Sequence, residues 1–218
     1  MKSLALMIAM TACGSPNDPP PREVLSPKDN PIEYVDNWIA THVDWMPDRA
    51  LDEIRRLFQF SEAKDHKISS AMAYRLSHIE YIKASRKVEI VAGDPPKTIS
   101  LLGVCTSYRN QPLGIEILNK DGFTDFNIKF FGEDASLDTL DALTDMVYIH
   151  ELGHCLGGLK HSVVFGSLIM QEYVGKLGVE EYMGKEDYYI DEMLTDIENN
   201  IPKMYILDEP EEDVEDLQ

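Results

Sequence analysis

His150-Glu151-Leu152-Gly153-His154-Cys155-Leu156-Gly157-Gly158-Leu159-Lys160-His161 is the stretch on which the reading of this chain turns. Two histidines four apart on a helix share a face, so both imidazoles reach one metal ion, and Glu151 is placed to handle a proton of water there. The apolar run-in Leu140, Leu143, Val147 continues onto His150 and His154 at three- and four-residue steps, which predicts a helix under the motif. Gly157 and Gly158 then stop it, because glycine accepts the positive φ that reverses the chain, and His161 follows at once. Three neutral imidazoles with an open position form the catalytic pattern of zinc coordination, as distinct from the closed four-ligand structural one.

The stretch resembles the metzincin zinc-peptidase signature, HExxHxxGxxH followed by a Met-turn, and Ser162 after the third histidine is similar to the matrixin branch. Leu168-Ile169-Met170 stands where that family has its Met-turn. The form HELGHC, six residues, His, then a short run to Ile-Met also resembles a group of bacterial lipoproteins regarded as zinc peptidases. One departure matters: the family places five residues between its second and third histidines, and this chain has six, with Gly157-Gly158 where one glycine is expected. Either the turn absorbs the extra residue or His161 is not a ligand; two permissive backbone positions favour absorption. The resemblance is close over 150–170 and loose over 88–200. It implies a metzincin-like α+β fold, a mixed twisted sheet packed on helices with a central active-site helix beneath it. It also implies one Zn2+ held by His150, His154 and His161, with Met170 below the metal. Tyrosine-ligand metzincins carry their tyrosine two residues after the methionine; Tyr173 stands three after, which weakens it as an oxyanion donor.

At 218 residues, 44% hydrophobic and 27% charged, the chain suffices for one globular domain with tails and a substantial core. A formal charge of −19 excludes the basic footprint that a nucleic-acid partner needs, and reads as solvation of the surface. At the N-terminus, Lys2, the apolar run Leu4 to Met10 and Met10-Thr11-Ala12-Cys13 read as a signal peptide over 1–12 ending in a lipobox. Cleavage would leave Cys13 lipidated, so the membrane partner is reached through an N-terminal lipid anchor and not a spanning helix. The expected location is the bacterial cell envelope, as an outer-membrane lipoprotein, or the exterior if Cys13 is not lipidated. Residues 13–31 form a Pro-, Asn- and Asp-rich tether.

Residues 32–87 read as a helical N-terminal region, either a small subdomain or a propeptide, with no cysteine-switch motif. Tyr34, Val35, Trp38, Ile39 and Val43 make one stripe; Leu51, Ile54, Leu57 and Phe58 a second, led in by Pro47; Ile68, Met72, Leu76, Ile79 and Ile82 a third. His42, His66 and His78 lack paired ligand spacing and read as surface or rim histidines. The catalytic domain, 88–207, opens with strand patterns: Val88 and Ile90; Ile99 to Cys105, apolar on both faces like a central strand; Ile115 and Ile117; and Phe126, Ile128, Phe130. Ser136 is the expected cap of the active-site helix, on which Glu151 is the only acidic residue from Met146 to Gly158, as for a helix buried nearly all round. A last helix is expected over 182–200, stopped before Pro202, and an acidic tail over 208–218.

With Cys13 committed to lipid, Cys105 and Cys155 remain in a compartment that permits disulfides, and a metzincin-like fold packs their strand and helix together. They are either bridged or two small buried hydrophobes. The expected function is a zinc-dependent endopeptidase acting as a monomer on a peptide or protein substrate, with Glu151 as general base. An extended substrate is expected to pair with an edge strand around Phe126 to Phe131, in front of a pocket walled by 170–175. The alternatives are a non-catalytic zinc-containing binding lipoprotein, and a zinc hydrolase of cell-wall peptide amides.

Overall fold

The computed structural model describes residues 26–204 apart from 28, 93–94, 107–112, 133–135, 162–167 and 172–175. The signal peptide, Cys13 and the tether up to residue 25, Ser162, Tyr173 and the acidic tail therefore lie outside the described residues, whereas the end assigned to the tether is not tether: Asn30 caps a helix that Pro31 begins. Three helices come first: α1 (Pro31–His42), α2 (Asp48–Ala63) and α3 (Ser69–Leu76). Asn30 caps α1 by accepting from the Glu33 N–H, and Pro47 stands at the N-cap of α2, one position before the first turn. The inward residues of α1 to α3, among them Trp38, Ile54, Phe58 and Met72, join one hydrophobic core with the elements that follow.

The third apolar stripe does not remain helical. The helix ends at Leu76, and Ile79 to Ser85 is strand β1, in which Ile79 and Ile82 are both buried, with a register shift between Ile79 and Tyr81 interrupting the strand's alternation. A three-residue step from 79 to 82 fits helix spacing, and only the strand's partner, far along the chain, decides otherwise. That partner is β5 (Leu113–Leu118), parallel to β1 with Ile82 opposite Ile115. Between them run β2 (Val88–Ala92), β3 (Lys97–Leu101) and β4 (Gly103–Thr106). β2 and β3 form an antiparallel ribbon, and β4 lies antiparallel on the other side of β5, giving the order β1-β5-β4. The sheet is mixed, as expected. Its central strand, however, is β5, buried along most of its length, and not Ile99 to Cys105. That run breaks at Leu102, leaving β3 mostly exposed and β4 half-buried at an edge.

Residues 126–131 are not a strand. Lys120–Phe131 forms helix α4, opened by Asn119, whose side chain accepts from the Gly122 N–H at 3.0 Å. Phe123, Phe126, Asn127 and Phe130 also recur at helical steps, so a five-residue alternation was too short to separate the periods, and the capping asparagine decides.

Helix α5 (Leu137–Gly157) is the axis of the molecule. The Ser136 side chain caps it by accepting from the Thr139 N–H, and Gly158, at φ 62° and ψ 20°, ends it. It is buried nearly all round, as a helix with one acidic residue in its second half should be. The strands β4 and β5 cover one side; α2 and α3 pack on another, where Arg49 forms an ion pair with Asp145. A 3-10 turn at Leu168–Met170, then α6 (Lys176–Tyr182) and α7 (Glu186–Met204), close the remaining side. The expected last helix is split at Gly184, φ 77°, and α7 runs through Pro202 to Met204. In a final turn the proline forfeits only the bond to the Glu198 carbonyl, so it does not stop the helix. The architecture is α+β, a small mixed sheet packed on helices.

Candidate metal centre

Helix periodicity puts His150 and His154 on one face of α5, and both rings are oriented from behind. The Nδ1 of His150 lies 2.5 Å from the carbonyl of Ile169 in the 3-10 turn, and the Nδ1 of His154 lies 2.6 Å from the carbonyl of Leu159, just past the helix. A carbonyl only accepts, so each Nδ1 carries the proton and each Nε2 presents a lone pair. Those lone pairs converge. The Nε2 atoms of His150 and His154 are 3.0 Å apart, and that of His161 is 3.3 Å from His150. With both tautomers set by carbonyls, two lone pairs 3.0 Å apart repel unless a cation lies between them.

Zinc fits that requirement. Nitrogens each about 2.0–2.1 Å from one ion at the tetrahedral angle stand about 3.3–3.4 Å apart, close to the two separations here. Among the described residues this is the one group of three or more His, Cys, Asp or Glu side chains close enough to hold an ion, with ligand atoms within 4.8 Å of one another. The centre can therefore bind a metal ion. Burial first, and then the neighbouring imidazole of His154, hold His150 at a pKa of about 4; burial also lowers His154. Both are neutral at pH 7, as ligands must be. The other histidines lie elsewhere: His42 stacks on Trp38, His66 lies between Asp191 and Glu198, and His78 rests against Tyr74.

The six-residue spacing to His161 is absorbed at the second glycine. Gly158 takes the left-handed conformation, its N–H donates to the His154 carbonyl at 3.0 Å, and the Leu159 N–H donates to the Gly153 carbonyl at 3.2 Å. The first bond is that of the left-handed (αL) helix ending, and with the second it turns the chain so that Leu159 returns its own carbonyl to His154. Met170, 2% exposed, packs against the same helix: a Cβ on Gly153 would lie 2.6 Å from its Sδ.

Glu151 shares the cleft with the three histidines, although only 4% exposed. Burial pushes its carboxyl up to about 8, opposed in part by a hydrogen bond from the Cys105 N–H. A cation beside it would draw that value down. The cleft, about 210 Å³, is walled on one side by α5 and on the other by Leu101 to Cys105. Cys105 is bonded to Cys155, with Cα atoms 5.7 Å apart, so the disulfide ties the strand rim to the helix one residue past His154.

Two participants escaped the sequence reading. One is Gly103, where a Cβ would lie 2.8 Å from both Cγ and Oε1 of Glu151. A glycine inside a strand pattern signals such a close approach, but the partner is 48 positions away. Gly103→Ala should displace the Glu151 side chain and lower the stability of the fold by about 1–3 kcal/mol, the usual cost of an added methyl group in a packed site. Denaturant unfolding of variant and parent checks this; equal stability overturns it. The other is the edge of β4. Leu118 donates to the Leu102 carbonyl, so in the antiparallel alternation Val104 and Thr106 also face β5, while Gly103 and Cys105 direct their backbone groups outward. The Cys105 N–H there is the donor to Glu151.

The disulfide gives a separate expectation. Its 50-residue separation corresponds to about 4 kcal/mol in the chain-entropy picture, an upper figure because strain subtracts from it. Cys105→Ala/Cys155→Ala should therefore unfold at lower denaturant by about 2–4 kcal/mol. Thiol titration of the unreduced, denatured parent should find neither cysteine free.

Compared with family models, curated proteins and solved structures, the chain matches none.

Proposed function

We propose that the protein is a zinc-dependent peptidase of metzincin type, with His150, His154 and His161 as ligands and Glu151 as general base. The observation that carries this reading is the convergence of three imidazole Nε2 atoms beside a buried carboxylate in an open cleft. Zinc bound there supplies Lewis acidity, polarising a scissile carbonyl and making water a nucleophile at neutral pH. Glu151 takes the water's proton on its carboxylate and releases it to the leaving amine nitrogen. The outward N–H and carbonyl of Gly103 and the carbonyl of Cys105 serve an extended substrate, whose main chain pairs with the β4 edge and holds any sequence in register, while the Cys105 N–H stays with Glu151. This edge replaces the Phe126–Phe131 segment, which is helical and has no ladder to offer. The 3-10 turn with Met170 stands in for the Met-turn, supporting His150 through the Ile169 carbonyl.

The test is a cleavage screen of the zinc-loaded protein against mixed peptides, with products read by mass spectrometry. Internal cleavage, abolished by chelation and restored by zinc, supports the reading. Stoichiometric zinc with no cleavage of any peptide replaces it with a zinc-containing binding protein. Cleavage confined to cell-wall peptide amides reassigns the substrate and keeps the site.

A further inference from the structure

Among the described residues Arg75 is the one Lys or Arg that is buried, 6% exposed. It belongs to α3, in the N-terminal helical region, yet its Nε donates to the carbonyl of Cys155 at 2.6 Å, across 80 positions. A buried guanidinium is retained only where its surroundings offset the loss of water. Here they are the end of α5. The last carbonyls of a helix have no partner within it; Gly153 and His154 are served by the Leu159 and Gly158 N–H groups, and Cys155 by Arg75. The positive charge also stands at the negative end of the helix dipole. Its Nη1 would lie 3.7 Å from a Cβ on Gly158, so the guanidinium rests against the left-handed turn itself.

That turn governs two ligands. Leu159 returns its carbonyl to His154 Nδ1, and His161 enters two residues later. The extra residue before His161 makes the turn depend on one glycine at positive φ, with Arg75 against it. We propose that Arg75 is a positioning residue of the metal centre, clamping the α5 ending so that His154 and His161 meet one ion. The inference rests on the metal-centre reading given above. It has a consequence for organisation: residues 32–87 supply part of the site's support, so a protein cut near 87 lacks the clamp.

Arg75→Met keeps bulk and removes the donors. It is compared with the parent, with Arg75→Lys, and with Val35→Ala, a buried truncation on α1, which packs on α2 and α3 away from the centre. Zinc affinity is read by chelator competition, and ligand geometry by the visible spectrum of the cobalt-loaded protein, both well below the melting temperature. Loss of support behind a ligand typically weakens metal binding by about 10–100-fold. The R75M variant should fold, bind zinc about tenfold or more weakly and show a changed cobalt spectrum. R75K should recover part of both, and V35A should melt earlier with parental affinity and spectrum. Parental affinity and spectrum in R75M overturn the proposal. If R75M does not fold, Arg75→Gln, whose shorter arm falls short of Cys155, carries the same test with the same overturning result. A parent that takes up neither zinc nor cobalt overturns the metal-centre reading itself, and Arg75's role with it.

Discussion

Glu151→Gln is expected to give a folded protein that holds zinc as the parent does and has lost hydrolysis by about 10²–10⁴-fold, the usual contribution of a general base. The change is local. Glutamine keeps the shape that fits against Gly103, and its amide oxygen still accepts from the Cys105 N–H, so the rim of the cleft has no reason to move. Only the basic site is removed. A second readout separates this from general damage. In the metal-free protein, burial raises the Glu151 carboxyl from 4.5 to about 8, so the folded state holds a proton that the unfolded state releases. The Glu151 contribution is then fully present below about 4.5 and is lost as pH rises towards 8; the lowered pKa values of His150 and His154 act in the opposite sense in both proteins, so the difference between parent and glutamine variant isolates it. Denaturant unfolding of the chelated proteins at pH 5 and pH 8.5 measures it. A variant with full activity shows that hydrolysis does not run through this cleft.

Helix α5 was legible in sequence because every local signal agreed. Ser136 as cap, the three- and four-step apolar run, a single acidic residue in its second half and the glycine pair at its end all describe the same element. The convergence of His150 with His154 follows from helix periodicity alone. His161 was less determined, since its spacing left open whether the turn takes up an extra residue, and Gly158 at positive φ supplies the answer. Elsewhere, short segments fit two periods at once. Ile79 and Ile82 continue a helical stripe, yet pair with β5 across the whole β2–β4 excursion. Phe126 to Phe130 alternates, yet belongs to a helix nucleated seven residues earlier by Asn119. Break points inside apolar runs are equally hidden: the kink at Leu102 separates an exposed ribbon strand from the edge strand that lines the cleft. Gly103 and Arg75 were missed for a further reason. Each matters only through one distant partner, Glu151 in one case and the Cys155 carbonyl in the other, and no spacing rule within the chain relates them.

Zinc itself should stabilise the fold, and the size of that effect tests the ligand set. In the metal-free protein the Nε2 atoms of His150 and His154 face each other at 3.0 Å with their lone pairs inward, and burial denies both rings the proton that would relieve the repulsion. An ion that binds only the folded state contributes about 4 kcal/mol when free zinc is about a thousand times its dissociation constant. For a chain of this length each kcal/mol moves the melting temperature by about 2–4 °C, so chelation should lower it by about 8–16 °C. His161→Ala provides the sharper result. His161 is exposed and follows the helix end, so its removal leaves the core untouched, and the metal-free variant should melt with the metal-free parent. Two imidazoles remain on α5, but the ion loses the ligand that closes its third side. The zinc-dependent rise should therefore shrink to a small fraction of the parent's, along with stoichiometric metal content and hydrolysis. Calorimetric scans with zinc and with chelator decide it. An undiminished rise in the variant means that the third ligand is another group, and an absent rise in the parent means that the three histidines hold no ion.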